Sequence, residues 1–381
     1  MKIFYIANAR IPTEKAHGLT IVKSCEALAH QGAEVTLVLP RRKTPFGNIF
    51  DTYHTEPIFT VHYVPVLDLV ARSSSRLAFW LTSLQFFLQV FWLFLWMKKE
   101  QVVVYTRDPL ALLLSWCGVP TVLECHHVFA KQRFYFWLAR HARGVVTISH
   151  ALKDKFIAAG FSENALAVFP SGVDLSVFSI TTPQVEARRE LSLPPEGPII
   201  TYTGNFTTMG EDKGISDILK ALVELPDVCF VAAGGSHRDR ARYHAQAEAL
   251  RVASRVVLVG HGPQKNLALY QRAADVLLMP FPDTPHYRSN MSPVKMFEYM
   301  ASGRPVVASD LPTIREVLNQ TKALIVPPDD PHALAEALQG LLADPARAEA
   351  LAERARRDVA AYAWDARSKG VLAFVVRVGA L

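Results

Sequence analysis

Short apolar runs alternate with stretches long enough to form a helix, and the pattern occurs twice along the chain. Runs at 2–7, 34–39, 60–65, 101–106, 121–124 and 145–148 read as strands, with helices expected over 20–30 and from Ser149, a good helix cap. The rhythm breaks near 170–174, and a Thr- and Pro-containing loop leads to Pro194-Pro195-Glu196-Gly197-Pro198, the best linker in the chain. It resumes with strands at 199–203, 229–233, 256–259, 276–279, 306–309 and 324–326 and helices such as 215–225 and 267–273. A helical tail from Pro331 is interrupted at Pro345 and by Tyr362 and Trp364. Buried strands alternating with helices imply parallel sheets covered on both faces. The expected architecture is therefore α/β: two Rossmann-like, doubly wound domains facing a central cleft, a division that 381 residues can support. The boundaries read as a first domain over 1–180, a linker over 181–198, a second domain over 199–362 and a helix over 363–381 that crosses back to the first. In such sheets ligands bind outside the carboxyl ends of the strands, so the chemistry is expected there.

One segment disturbs this pattern. Residues 77–97 carry no charge and hold eight Phe or Trp, long enough to span a bilayer. Thr82, Gln85 and Gln89 form a thin polar stripe, and basic residues flank both ends, Arg72 and Arg76 before and Lys98 and Lys99 after, so charge gives no orientation. A span would put strands of one sheet on opposite sides of a membrane. The preferred reading is an interfacial helix that docks the protein peripherally, ahead of a buried core helix and a true span.

Composition narrows the partners. The net charge of +6 suits anionic ligands or an acidic membrane surface and is too diffuse to indicate nucleic acid. Cys25, Cys117, Cys125 and Cys229 show no C-x-x-C spacing, which points to free thiols in a reducing compartment. The N-terminus reads as a strand rather than a signal peptide. The expected location is the cytoplasm, on the inner face of a membrane where the docking helix acts.

The most informative stretch is 289–301. Ser292 followed by Pro293 predicts a helix start, with the backbone N–H groups of Val294 and Lys295 forming an anion site suited to phosphate. Glu298, further along the same helix, offers a carboxylate to vicinal hydroxyls such as those of a ribose. A second strand-loop-helix, Thr203-Gly204-Asn205-Phe206 followed by Lys213-Gly214, adds a cation beside helix donors, without the spacing of a P-loop. Gly18, at the head of the first long helix, would let a pyrophosphate approach the backbone, and the absence of G-x-G-x-x-G there argues against a nicotinamide or flavin cofactor. Glu124-Cys125-His126-His127 ends a strand. Adjacent side chains there point to opposite faces and metal-ligand spacings are lacking, so structural histidines are the default and no metal site is expected.

Taken with Pro170-Ser171-Gly172-Val173-Asp174, the Gly260-His261-Gly262 turn and Tyr362-Ala363-Trp364, the run from Ser292 to Ser309 resembles the retaining, family-4-type glycosyltransferases (glycosyl transferases group 1) of GT-B fold. The resemblance covers nearly the whole chain and is strongest over 170–365. It implies transfer of a sugar from a nucleoside diphosphate donor to an acceptor hydroxyl with retention, the leaving phosphate taking the acceptor's proton and no metal being obligatory. By the same resemblance Glu298 holds the donor ribose as the second acid of an E-x7-E pair, whose first position is here Asn290. Lys213 matches the lysine of a phosphate-binding pair in which Asn205 replaces the usual arginine, leaving Lys295 or Arg288 to supply the second cation. His261 falls near the base, and His126 matches a histidine that hydrogen-bonds the donor sugar, with His127 the alternative if the register shifts by one. The catalytic set is thus His126, Lys213 and Glu298, and the donor set Gly18, Asn205, Lys213, His261, Asn290, Ser292, Val294, Lys295 and Glu298. The apolar helix and basic charge suggest a lipid-linked or membrane acceptor, as in cell-envelope polysaccharide or glycolipid synthesis. Two rivals remain: a nucleotide-sugar epimerase of the same fold, and a catalytically weak nucleotide-sugar-binding protein motivated by Asn205 and Asn290.

Overall fold

The structure, a computed structural model, describes residues 1–71, 75–97, 100–128, 132–208 and 210–379. The chain divides into two compact units: residues 1–171 with 364–381, and residues 172–363.

The first unit is built on a seven-stranded parallel sheet in the order β3-β2-β1-β4-β5-β6-β7. Its strands are β1 (Lys2–Ile6), β2 (Glu34–Arg41), β3 (Thr60–Pro65), β4 (Val102–Thr106), β5 (Thr121–Cys125), β6 (Gly144–Thr147) and β7 (Leu166–Val168). Every residue of β4, β5 and β6 is buried, which is why these segments read as unbroken apolar runs. The Ala16–His30 helix follows β1, and Ser149 caps the His150–Ala158 helix by accepting from Leu152 N–H at 3.2 Å. Strand β7 was not anticipated: its run of three apolar residues is too short to stand out, and it pairs in parallel with β6 at the sheet edge. The C-terminal helix, Trp364–Arg377, returns to this unit and packs Val371, Phe374 and Val375 into a core with Ile3, Tyr5 and Val122.

The apolar segment forms the Arg76–Trp96 helix, which joins β3 to β4. Phe86, Val90 and Phe94 recur every four residues and pack fully buried against Ile6, Val38 and Val104 of the sheet. The opposite face is open, with Trp80, Leu84, Leu88 and Trp92 between 54% and 64% exposed. Because both ends feed strands of one sheet, this helix does not span a bilayer, despite meeting the length and composition for it. It is neither wholly core nor wholly surface. Arg72, Lys98 and Lys99, three of its expected basic flanks, lie outside the described residues, and Arg76 is its first residue.

The second unit carries a six-stranded parallel sheet in the order β12-β11-β8-β13-β14-β15. These are β8 (Ile199–Thr203), β11 (Cys229–Ala233), β12 (Val256–Val259), β13 (Val276–Met279), β14 (Val306–Ser309) and β15 (Leu324–Val326). A two-stranded hairpin, β9 (Thr207–Thr208) and β10 (Glu211–Asp212), follows β8. The stretch read as a linker over 181–198 folds onto this unit instead. Within its Gln184–Glu190 helix, buried Arg188 pairs with Asp275 at 2.8 Å and donates to the carbonyls of Pro195 and Gly197, pinning the proline-rich loop. The contact-based division therefore falls at 171/172 and 363/364 rather than at 180 and 198. There Val173 N–H donates to the Tyr362 carbonyl at 3.0 Å, holding the outgoing and returning chain side by side.

Candidate functional site

In the second unit the site assembles at the carboxyl end of β8. The loop after β13 contains the Pro285–Ser289 helix and leads into the Val294–Ser302 helix, capped by Pro293, so the helix starts one residue later than Ser292 predicts. The amides of Val294 and Lys295 lie ahead of the first intrahelical bond, whereas Met296 N–H already donates to the Pro293 carbonyl at 3.0 Å. The helix is anchored by Tyr299, whose hydroxyl accepts from Thr203 N–H at 2.8 Å and so ties it to the end of β8.

Three ionisable side chains meet beside this anchor. Lys295 is buried, its Nζ has no hydrogen-bond partner among the described residues, and it rests 3.2 Å from the centroid of the Tyr202 ring, a cation–π placement. Burial, with neighbouring Lys213, pushes the Lys295 ammonium well below the usual lysine range, while Glu298 partly opposes this. Burial lowers Lys213 to about 8. Glu298, also buried, is raised by burial to about 7, although Lys295 and a hydrogen bond from Gln271 act against that rise. An uncompensated buried ammonium is costly, and an incoming anion is the group that would relieve it.

Not every donor foreseen at this site is available. The amides of Gly214, Ile215 and Ser216, at the head of the helix after Lys213, all donate to the Asp212 carboxylate, which also receives the Ser216 hydroxyl. The phosphate reading of Lys213 thus rests on its ammonium alone. Gly214 is required here for another reason: at φ +91° a Cβ would collide with the Pro280 carbonyl. Arg288 pairs with Asp283 at 3.1 Å, so Lys295 is the second cation beside Lys213. Asn205 follows β8, half-buried, its carbonyl accepting from the Tyr202 hydroxyl at 2.9 Å. Asn290 caps the end of the Pro285–Ser289 helix, Ser292 lies in the following extended segment, and His261 is exposed in the loop after β12.

In the first unit His126 follows β5, and its Nε2 lies 2.8 Å from Glu124 Oε1. Glu124 is fully buried and also receives Arg107 at 3.1 Å, Arg367 at 2.8 Å and the Tyr5 hydroxyl at 3.3 Å. Burial alone would raise the Glu124 carboxyl, but Arg107, Arg367 and His126 outweigh it and hold the group well below the usual carboxylate range. His126 is lowered to about 4 by burial and by Arg107, against the pull of Glu124. His127 is exposed. Cys125 accepts from the Tyr135 hydroxyl at 3.1 Å, and among the described residues no group of three or more His, Cys, Asp or Glu is arranged to hold a metal ion.

Gly18 sits inside the Ala16–His30 helix, not ahead of it. A Cβ there would collide with the Tyr53 hydroxyl and with Thr13, so the missing side chain admits Tyr53. Sequence reasoning passed over Glu124, Gln271 and Asp212. An acid in the middle of an otherwise apolar strand was the available signal for the first.

Comparison with known proteins identifies the family. Residues 19–177 match the model of Glycosyltransferase Family 4, and residues 197–344 match that of Glycosyl transferases group 1. A D-inositol 3-phosphate glycosyltransferase of Xylanimonas cellulosilytica is 32% identical over 223 residues, 56% of this chain and 51% of that protein. A phosphatidyl-myo-inositol mannosyltransferase of Mycolicibacterium smegmatis is 30% identical over 208 residues, 53% of this chain and 50% of that one. The matches therefore span about half the length of these curated relatives. Among solved structures, sucrose-phosphate synthase from Thermosynechococcus elongatus superposes with a TM-score of 0.77 at 23% identity, covering 100% of this chain and 99% of that one. With a family model on each of its two parallel-sheet units, the chain belongs to the family-4, group 1 glycosyltransferases and has the GT-B fold.

Proposed function

We propose that the protein transfers a sugar from a nucleoside diphosphate donor to an acceptor hydroxyl with retention of configuration. The observation that carries this reading is the Lys295 ammonium, buried without a hydrogen-bond partner among the described residues, beside Lys213 and next to the backbone amide of Val294. Two ammonium groups and free amides match the two phosphates of the donor, and Glu298, three residues on, is offered to the ribose. Breaking the sugar–phosphate bond leaves charge on the diphosphate, and donors already fixed around it stabilise that charge without reorganising. Within the second unit Asn205, His261, Asn290 and Ser292 complete the proposed donor surroundings, and His126 of the first unit is assigned to a sugar hydroxyl.

The open apolar face of the Arg76–Trp96 helix supports peripheral docking on a cytoplasmic membrane surface, with a lipid-linked or membrane acceptor for a glycolipid or envelope polysaccharide. The phosphatidyl-myo-inositol in the name of the Mycolicibacterium smegmatis relative favours the same acceptor class.

Calorimetry against a panel of nucleoside diphosphates and the corresponding monophosphates tests the donor reading. One diphosphate is expected to bind, its monophosphate more weakly, and Lys295→Met is expected to abolish the difference. Equal affinity for the two in the unsubstituted protein would refute the diphosphate site.

A further inference from the structure

Four side chains from four separate parts of the first unit converge on the Glu124 carboxylate: Tyr5 from β1, Arg107 after β4, His126 after β5 and Arg367 from the C-terminal helix. Arg367 is further held by its Nε, which donates to the Pro170 carbonyl at 2.7 Å, and Arg107 by its Nη1, which donates to Thr20 Oγ1 at 2.8 Å. The carboxylate is fully buried and lies between two guanidinium groups, so it is ionised and can only accept.

That fact decides the chemistry of the imidazole. His126 Nε2 lies 2.8 Å from Glu124 Oε1, and a contact of that length to an acceptor-only group requires the proton to sit on Nε2. Burial and neighbouring Arg107 lower the imidazole to about 4, so it is neutral near pH 7 and the other nitrogen, Nδ1, carries a lone pair. The side chain is 31% exposed, and among the described residues no hydrogen bond to Nδ1 is formed.

We infer that Glu124 is a positioning residue that holds His126 in the Nε2–H tautomer, so that His126 meets its ligand as a hydrogen-bond acceptor through Nδ1 and takes a proton-bearing hydroxyl rather than a phosphate oxygen. The ligand part of this inference rests on the reading of His126 as a sugar contact; the tautomer part does not. His126 thus orients a ligand hydroxyl rather than neutralising an anion. The C-terminal helix belongs to the same device, because Arg367 is one of the two cations that keep Glu124 ionised.

Nitrogen-15 NMR of the full-length protein labelled at histidine, with His126→Asn to assign the signal, reads the tautomer directly. A pyridine-like Nδ1 and a pyrrole-like Nε2 are expected near neutral pH, with the Nε2–H form favoured roughly tenfold or more by its charge-assisted bond. A protonated Nδ1, an averaged pair of tautomers or an imidazolium would overturn the inference, and this measurement needs no substitution at Glu124. In Glu124→Gln the single tautomer should give way to a mixture; an unchanged spectrum would remove Glu124 from the role. A buried carboxylate that served stability alone would not set the His126 tautomer. Should every nucleoside diphosphate fail to bind while the Nε2–H form is observed, the donor reading falls and the role of Glu124 stands.

Discussion

Both units bury charge, and they balance it differently. In the first, Glu124 gathers two guanidinium groups, an imidazole and a phenol, so the carboxylate meets hydrogen-bonding partners within the fold. In the second, Lys295 faces an aromatic ring and another ammonium, its Nζ without a hydrogen bond, and Glu298 is pushed toward its neutral form. A closed network serves the fold and sets a neighbour's geometry. An open one is held at a cost in stability that a ligand can offset. The difference separates a carboxylate whose charge is matched within the fold from an ammonium whose charge is not.

The sharpest way to break this contrast is to remove the centre of each cluster. Glu124→Ala should destabilise the protein by about 3–5 kcal/mol in chemical denaturation, because it strands buried arginines. Lys295→Met should do the opposite. Replacing a buried, unbonded ammonium by an apolar chain of similar length is expected to leave stability unchanged or raise it by ~1–4 kcal/mol, while diphosphate binding falls. A loss of stability in Lys295→Met would place the lysine in the supporting class. Next in size, Glu298→Gln should weaken nucleotide binding by about 1.5–3 kcal/mol in calorimetry, the worth of a hydrogen bond to a charged group.

Titration sharpens the same comparison. Glu298 must be ionised to accept fully from a ribose, so affinity should rise as pH passes about 7. Lys213 must be protonated to hold phosphate, so affinity should fall again above about 8. Calorimetry across pH 6–9 is therefore expected to show a maximum between those values, whereas the His126 tautomer should stay constant across that range. The smallest effect on the fold is expected from Leu88→Glu on the open face of the apolar helix, within about 0.5 kcal/mol in stability. The same change should release the protein from anionic lipid vesicles in sedimentation, and retention would refute docking through this face.

Local sequence carried the strands well where each was a continuous apolar run, since burial on both faces demands that composition. All six strands of the larger sheet in the second unit match their expected bounds, from Ile199–Thr203 to Leu324–Val326. What escaped were features set by partners distant in the chain. Gly18 answers to Tyr53, and Arg188 to Asp275, 87 residues away. The acid in an apolar strand marked Glu124 as needing a partner, but its role was not legible because Arg367 lies 243 residues away. The helix carrying Lys295 and Glu298 was legible because both residues lie within one turn of each other. That Lys295 would be buried without a hydrogen bond was not legible, since Tyr202 and Lys213 arrive from other segments.

The return of the Trp364–Arg377 helix to the first unit also bears on how the chain is made. The second unit interrupts the first, so a nascent polypeptide emerging at ~5–20 residues per second has the seven-stranded sheet waiting tens of seconds for this helix. During that delay the second unit can fold whole, while Glu124 lacks Arg367. Emergence of residues 364–377 thus becomes the event that completes the first unit, and a premature stop ahead of them would spare the second unit while leaving the first unfinished.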